Sequence, residues 1–119
     1  MSYTDGFMCP VLPGKKDAYL EMAKKAAPLF IEYGAIRVVE TWNDDIQPGK
    51  TNDMRTAVIA EEGEDVVFSW IEWPDRATRD AAWGKLMEDE RMKPPADNPM
   101  AGARMIYGGF SVILDHAKS

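Results

Sequence analysis

The chain has 119 residues, of which 45% are apolar and 29% charged, and its formal charge is −6 at pH 7. This length and composition are typical of a folded protein with one core, so we expect a single domain spanning residues 1–119. The negative charge opposes contact with phosphate backbones, which makes nucleic acid a disfavoured partner.

The sequence also bears on location and redox chemistry. Apolar runs are too short to cross a membrane, and the first residues lack the basic start and apolar stretch of a secretion signal. We therefore expect a cytoplasmic protein with no membrane partner. The single cysteine, Cys9, lies in an apolar run, and we interpret it as a small core residue in preference to a reactive thiol.

The first third of the chain predicts a strand, a helix and a second strand. Residues 3–12 form an apolar segment closed by a Pro-Gly pair, which is typical of a strand ending in a turn. Apolar residues then recur every three or four positions over residues 15–33, which predicts an amphipathic helix. Pro28 should kink this helix or restart its last turn. Residues 36–42 are rich in β-branched side chains and predict the second strand.

The second half repeats this outline. Residues 66–73 give the strongest strand signal in the chain. Asp75 is then well placed to cap a helix that runs to about residue 88. A proline-rich loop over residues 93–102 leads into a last strand, predicted for residues 104–114.

Residues 54–60 fit either a strand or a short helix. A full extra strand at this point would make the strands before and after it parallel, whereas a βαββαβ domain needs them antiparallel. We therefore favour a short helix over residues 54–60.

These elements predict an α+β fold of the ferredoxin-like βαββαβ type, in which a four-stranded antiparallel sheet carries two helices on one face. The other face of such a sheet is polar in a monomer. Residues 66–73 instead place Phe68 and Trp70 on one side and Ile71 and Trp73 on the other. Both faces need covering, which predicts a homodimer that packs sheet against sheet.

Distinctive short strings occur in order along the chain. They include Tyr-Thr-Asp-Gly-Phe at residues 3–7, Phe-Ser-Trp-Ile-Glu at residues 68–72 and Arg-Met-Ile-Tyr-Gly-Gly-Phe at residues 104–110. With these strings the chain resembles the YbaA-like family of uncharacterised bacterial proteins over nearly its whole length. The resemblance implies the dimeric α+β barrel fold and no established activity. Residues 99–103 depart from the family pattern, so a pocket lined by this loop would lack an aromatic and an acidic group.

Few residue types for metal or cofactor chemistry are present. One histidine, His116, and one cysteine are too few for a zinc or iron site, and no glycine-rich phosphate loop stands between a strand and a helix. We expect no metal and no cofactor. Polar groups on the apolar strands remain as candidates for ligand binding. They are Arg37, Glu40, Trp42, Trp70, Glu72, Arg104 and Tyr107.

Three of these residues, Glu40, Glu72 and Tyr107, are also weak candidates for catalysis. Strand alternation puts Glu40 on the same side as Trp42, and Glu72 on the same side as Trp70. A carboxylate in an apolar pocket has a raised pKa and can act as a general acid or base. The alternative is that each carboxylate pairs with an arginine and is structural.

Two functional hypotheses follow. The first is a homodimer that binds a small organic molecule in a pocket between sheet and helices, with a cofactorless monooxygenase or isomerase as its enzymatic form. The second is a non-catalytic dimeric binding or interaction module. A carboxylate buried in a cavity without a basic partner would favour the first. Complete pairing with Arg37, Arg55 or Arg104, and no cavity, would favour the second.

Overall fold

The computed structural model describes residues 2–119 and contains four strands and three α-helices in this part of the chain, in the order β1-α1-β2-α2-β3-α3-β4. The strands are β1 (Tyr3–Val11), β2 (Arg37–Trp42), β3 (Asp65–Trp73) and β4 (Ile106–Ser111), and the helices are α1 (Lys16–Glu32), α2 (Met54–Ala57) and α3 (Arg76–Leu86). Short 3₁₀ turns at Glu90–Met92 and Gly102–Arg104 flank the loop that leads into β4.

The four strands form one antiparallel sheet in the order β2-β3-β1-β4. The two inner strands, β1 and β3, pair from Tyr3↔Trp73 to Val11↔Asp65. Each βαβ half therefore places its helix on the same side of the sheet, and the predicted ferredoxin-like βαββαβ fold is confirmed.

The short helix α2 explains how β2 and β3 remain antiparallel neighbours. Asp53 caps this helix, because its carboxylate accepts hydrogen bonds of 2.9 Å from the amide of Arg55 and 2.8 Å from the amide of Thr56. The helix ends at Ala57, and Ile59 then takes a left-handed backbone conformation with φ of 53°. The prediction of a helix in this segment is confirmed, although the helix is one turn long and stops before residue 60.

Other boundaries differ from the sequence-based predictions for identifiable reasons. The strand β4 ends at Ser111, since that residue pairs with Tyr3 at the start of β1 and later residues have no strand opposite them. It begins at Ile106 because residues 102–104 form a 3₁₀ turn. The helix α1 runs without interruption through Pro28, so the last turn is not restarted there.

The core lies between the sheet and its two long helices. Trp73 and Leu86 are almost completely buried there, together with Tyr3, Leu29 and Ile71. Cys9 belongs to a second cluster and is 1% exposed. Burial raises the pKa of its thiol to about 11, so the thiol stays neutral at physiological pH.

The opposite face of the sheet is largely uncovered in one protomer. Phe68 is 44% exposed on this face and Phe110 is 65% exposed, with Ile106 beside them. Phe68 packs on Trp70 with ring centroids 5.8 Å apart. The sheet therefore carries large apolar groups on both faces, as strand alternation predicts. No helix within residues 2–119 is long and apolar enough to cross a membrane.

Candidate functional site

A cleft of about 800 Å³ lies between the helix-covered face of the sheet, α1 and the loop over residues 93–102. Ligand pockets in proteins are commonly about 300–1,000 Å³ in volume and mostly apolar, so this cleft has the size of a small-molecule site. Aromatic and methionine side chains form much of its wall. They include Phe7, Phe30, Trp83, Met22, Met92, Met100 and Met105.

Glu40 is the acidic group on the strand floor of this cavity. It lies on β2, directly opposite Ser69 on β3, and its side chain points toward α1 on the same side as Val38. From α1, the hydroxyl of Tyr19 donates a hydrogen bond of 2.5 Å to Glu40 Oε1. Tyr19 itself is buried by the helix–sheet contact, so its hydroxyl is held at a fixed position above β2.

The surroundings of Glu40 disfavour its charged form. Glu40 is exposed to solvent through the open mouth of the cavity, but the apolar walls remove part of its hydration, and this partial burial raises its pKa. Hydrogen bonds from Tyr19 and Ser69 oppose the shift without cancelling it. Among the described ion pairs of residues 2–119, none involves Glu40.

The pKa of the Tyr19 hydroxyl is raised as well. Burial raises its pKa, and the neighbouring carboxylate of Glu40 raises it further. Tyr19 therefore remains a protonated hydrogen-bond donor at any physiological pH, and Glu40 is the member of the pair that can lose or gain a proton.

Glu72 has a different environment, on the uncovered face of the sheet. Arg37 Nη1 lies 3.6 Å from Glu72 Oε2, and the indole nitrogen of Trp70 donates a hydrogen bond of 3.0 Å to the same oxygen. The structure therefore brings Arg37, Trp70 and Glu72 together, on the face of the sheet opposite Glu40. The strand at Trp70 also borders the cavity.

The remaining candidates, Trp42, Arg104 and Tyr107, are not among the residues that line the cavity. Trp42 packs against Tyr19 with ring centroids 6.2 Å apart. Arg104 is bound to the buried carboxylate of Glu64 by two hydrogen bonds of 2.6 and 2.7 Å. Tyr107, on the edge strand β4, is 72% exposed and stacks on Phe7 at 6.4 Å.

A buried cluster around Asp5 was not predicted from the sequence. Asp5 is 3% exposed, and its Oδ2 accepts 2.9 Å hydrogen bonds from the indole nitrogens of Trp73 and Trp83. Arg79 Nη2 donates a 2.8 Å hydrogen bond to Oδ1. This cluster fixes the ring of Trp83 in the cavity wall. The sequence signal that could have predicted this cluster is the alternation of β1, which places Asp5 on the same inward face as Tyr3 and Phe7, where a carboxylate requires partners.

The rim of the cavity carries mixed charges. Arg91, in the 3₁₀ turn after α3, donates 2.7 Å hydrogen bonds to Asp89 and to Glu32 on α1. Tyr33 donates a 2.7 Å bond to Asp89 as well. These bonds tie the loop at the cavity mouth to α1 and leave charged groups outside the apolar interior.

The sheet, the helices and the cavity beneath α1 define a ferredoxin-like α+β protein. More specifically, the chain belongs to the family of proteins of unknown function DUF1428, whose model matches residues 2–102. The chain is 58% identical over 116 residues to the uncharacterized protein YbaA of Escherichia coli K12, covering 97% of this chain and 99% of that protein. YbaA of Shigella flexneri matches with the same identity and coverage. The resemblance to the YbaA-like family is thereby confirmed.

Two solved structures share the fold at low sequence identity. A dimeric ferredoxin-like protein from an uncultured marine organism has a TM-score of 0.62 and 12% identity, covering 97% of this chain and 98% of that chain. A Bacillus cereus protein described as a candidate antibiotic biosynthesis monooxygenase has a TM-score of 0.54 and 13% identity, covering 100% of this chain and 98% of that chain. At this identity the likeness establishes the fold alone.

Proposed function

We propose that this protein is a homodimer that binds a small, neutral, mostly apolar organic molecule in the cavity between sheet and helices. The observation that carries the proposal is Glu40, a carboxylate held by Tyr19 inside an apolar cavity, with no ion pair within residues 2–119. A structural carboxylate that loses part of its hydration to apolar neighbours is favoured by a basic partner, which Glu40 lacks among the described ion pairs.

The walls indicate the chemistry of the ligand. Aromatic and methionine side chains favour an apolar body, and methionines adapt their shape to what they contact. The carboxylate of Glu40 accepts hydrogen bonds, so a ligand with one hydroxyl or N–H donor is favoured over one with an anionic group. A neutral alcohol, phenol or amide with an apolar frame fits both requirements.

The proposed dimer rests on the uncovered face of the sheet. Phe68, Ile106 and Phe110 expose apolar surface on that face, and such a patch marks an interface. A second copy of the same face is the simplest cover. The marine protein described as a dimeric ferredoxin-like protein supports this arrangement by its fold.

The second hypothesis, a non-catalytic interaction module, accounts for part of the structure. Glu72 pairs with Arg37, Glu64 with Arg104 and Asp5 with Arg79, as expected of carboxylates that only hold a fold together. The cavity and Glu40 are left without a role in that hypothesis. They favour a ligand-binding protein, whose enzymatic form would be a cofactorless monooxygenase or isomerase.

The proposal is tested with 2-naphthol, an apolar molecule that has one hydroxyl donor, followed by quenching of tryptophan fluorescence. We expect saturable binding, and about tenfold weaker binding of 2-methoxynaphthalene, since a hydrogen bond to a charged acceptor is worth about 1.5–3 kcal/mol. Ala26→Phe, which fills the cavity from α1, should abolish binding of both compounds.

Ala81→Phe is the matched control, because Ala81 is exposed on α3 and lies outside the cavity lining. It should bind 2-naphthol like the unmodified protein. Equal binding by Ala26→Phe, checked for folding by its melting temperature, would place the naphthol elsewhere and contradict the proposed site.

A further inference from the structure

We propose that Glu40 is a general base, which removes a proton from a weakly acidic C–H or O–H bond of a neutral molecule bound in the cavity. This inference deepens the proposed function and rests on the ligand site assigned above. It concerns the chemistry that the site performs, which neither the family nor the fold specifies.

The position of Glu40 suits proton transfer. The register of β2 and β3 places it opposite Ser69 on the cavity floor, and Tyr19 fixes its Oε1 atom. This arrangement leaves Oε2 to approach a molecule that occupies the cavity. A general base requires such a fixed carboxylate within hydrogen-bond reach of the proton that it removes.

The groups that surround Glu40 leave it as the proton acceptor. Tyr19 from α1 and Cys9 from β1 both have raised pKa values and stay protonated at neutral pH, and Ser69 from β3 does not titrate. The charged groups of the lining are exposed at the rim on α1 and in the loop that follows α3. They are Glu21, Lys25, Arg91, Lys93 and Asp97.

The partial loss of hydration at the cavity floor makes the carboxylate a stronger base than it is in water. Burial raises the pKa of Glu40, and an activated base has its pKa closer to the operating pH than a free carboxyl group does. The same low hydration disfavours an anionic substrate, because that substrate would add a second negative charge beside Glu40. The substrate class is therefore a neutral apolar acid, such as a carbonyl compound with an adjacent C–H bond or a phenol.

The step balances without an oxidant or a cofactor. For a carbonyl compound, the C–H bond breaks, the proton passes to Glu40 Oε2, and the bonding electron pair moves onto the carbonyl oxygen as an enolate. Glu40 can then return the proton to a carbon of the same molecule, which regenerates the carboxylate.

The test uses 5-nitrobenzisoxazole, a neutral aromatic compound that reports general bases. Removal of its ring C–H proton forms a nitrile, breaks the N–O bond and releases a coloured phenolate. We expect the protein to turn over this compound with a kcat/KM about 100-fold above that of Glu40→Gln, within the usual contribution of a general base. The rate should rise with pH to a plateau, and 2-naphthol should inhibit it competitively.

Two variants make the test specific. Tyr19→Phe removes a hydrogen bond that lowers the pKa of Glu40, so the midpoint of the pH profile should move to higher pH. Glu62→Gln changes an exposed carboxyl outside the cavity and should leave the profile unchanged. A purely structural role of Tyr19 would lower activity without shifting the midpoint.

The outcomes separate this inference from the proposed function. If 5-nitrobenzisoxazole displaces 2-naphthol but Glu40→Gln reacts as fast as the unmodified protein, the general base is overturned and the ligand site stands. If neither compound binds, both proposals are overturned. Turnover that depends on Glu40 and is blocked by 2-naphthol supports the inference.

Discussion

Tyr19 and Glu40 are joined by a hydrogen bond of 2.5 Å that links the first turn of α1 to the centre of β2. The bond holds a solvent-exposed carboxylate at the floor of an apolar cavity, where its charged form is disfavoured and no arginine pairs with it, whereas the buried carboxylates of Asp5 and Glu64 are each matched by an arginine. This contrast is expected of a ligand-binding or catalytic site, since such sites retain groups whose loss of hydration lowers the stability of the folded protein.

The first prediction concerns the stability cost of Glu40. Its pKa is raised in the folded protein, so between its ordinary value and the raised value the folded state binds more protons than the unfolded state, and stability falls as pH rises. Glu40→Gln should therefore melt slightly higher than the unmodified protein at pH 7.5. The difference should shrink as pH falls below 4.5, the ordinary pKa of a glutamate, because both the folded and the unfolded state then take up the proton. Lower stability of Glu40→Gln at pH 7.5 would contradict the account.

The second prediction concerns the uncovered sheet face. Phe68→Asp places a charge at the centre of the proposed interface and should convert a dimer into a monomer, measured by light scattering at micromolar concentration. Met87→Asp is the control, because Met87 is 81% exposed just beyond α3, away from that face. A monomeric unmodified protein, or a Phe68→Asp variant that remains dimeric, would refute the interface.

The third prediction concerns the Asp5 cluster. Asp5→Ala removes the shared acceptor of two indoles and the counter-charge of Arg79, and should lower the free energy of unfolding by about 3 kcal/mol in urea. Asp115→Ala, in the exposed C-terminal segment, should have almost no effect. The double variant Asp5→Ala/Arg79→Met should recover part of the loss. If Asp5→Ala is as stable as Asp115→Ala, the cluster around Asp5 does not stabilise the fold.

The fourth prediction concerns acid stability. Hydrogen bonds from Arg104 hold the pKa of Glu64 at about 2, below its ordinary value of 4.5. A lowered folded-state pKa adds stability that is present above the ordinary value and is lost as pH falls toward about 2. Glu64→Gln should therefore be less stable than the unmodified protein at pH 7, and the two should converge between pH 4.5 and 2. Parallel urea-unfolding profiles across that range would contradict the pairing.

The fold is largely predictable from the sequence because the patterns that specify its strands and helices lie within short segments of the chain. Alternation along β3 by itself assigns Phe68 and Ile71 to opposite faces of the sheet, and a single capped turn at α2 is enough to keep β2 and β3 antiparallel. Strand ends are less predictable, since β4 ends opposite the first residue of β1 rather than where its own sequence changes.

The candidate site is predictable only in part. Strand alternation assigns Glu40 to one face of β2 and Glu72 to one face of β3. It cannot indicate which face of the sheet the helices cover. The hydrogen bond from Tyr19 depends on how α1 packs over β2. The partners of Asp5 come from residues more than 60 positions later, so their meeting is a property of the tertiary fold.

The central claim, that the cavity beneath α1 binds a neutral apolar molecule, is tested most directly by NMR of the methionine methyl groups during addition of 2-naphthol. Met22, Met92, Met100 and Met105 line the cavity, whereas Met8, Met54 and Met87 lie outside it. The account predicts saturable shifts of the first four methyl signals with little change in the other three. Shifts confined to Met8, Met54 or Met87, or no saturable shift of the cavity methionines, would contradict it.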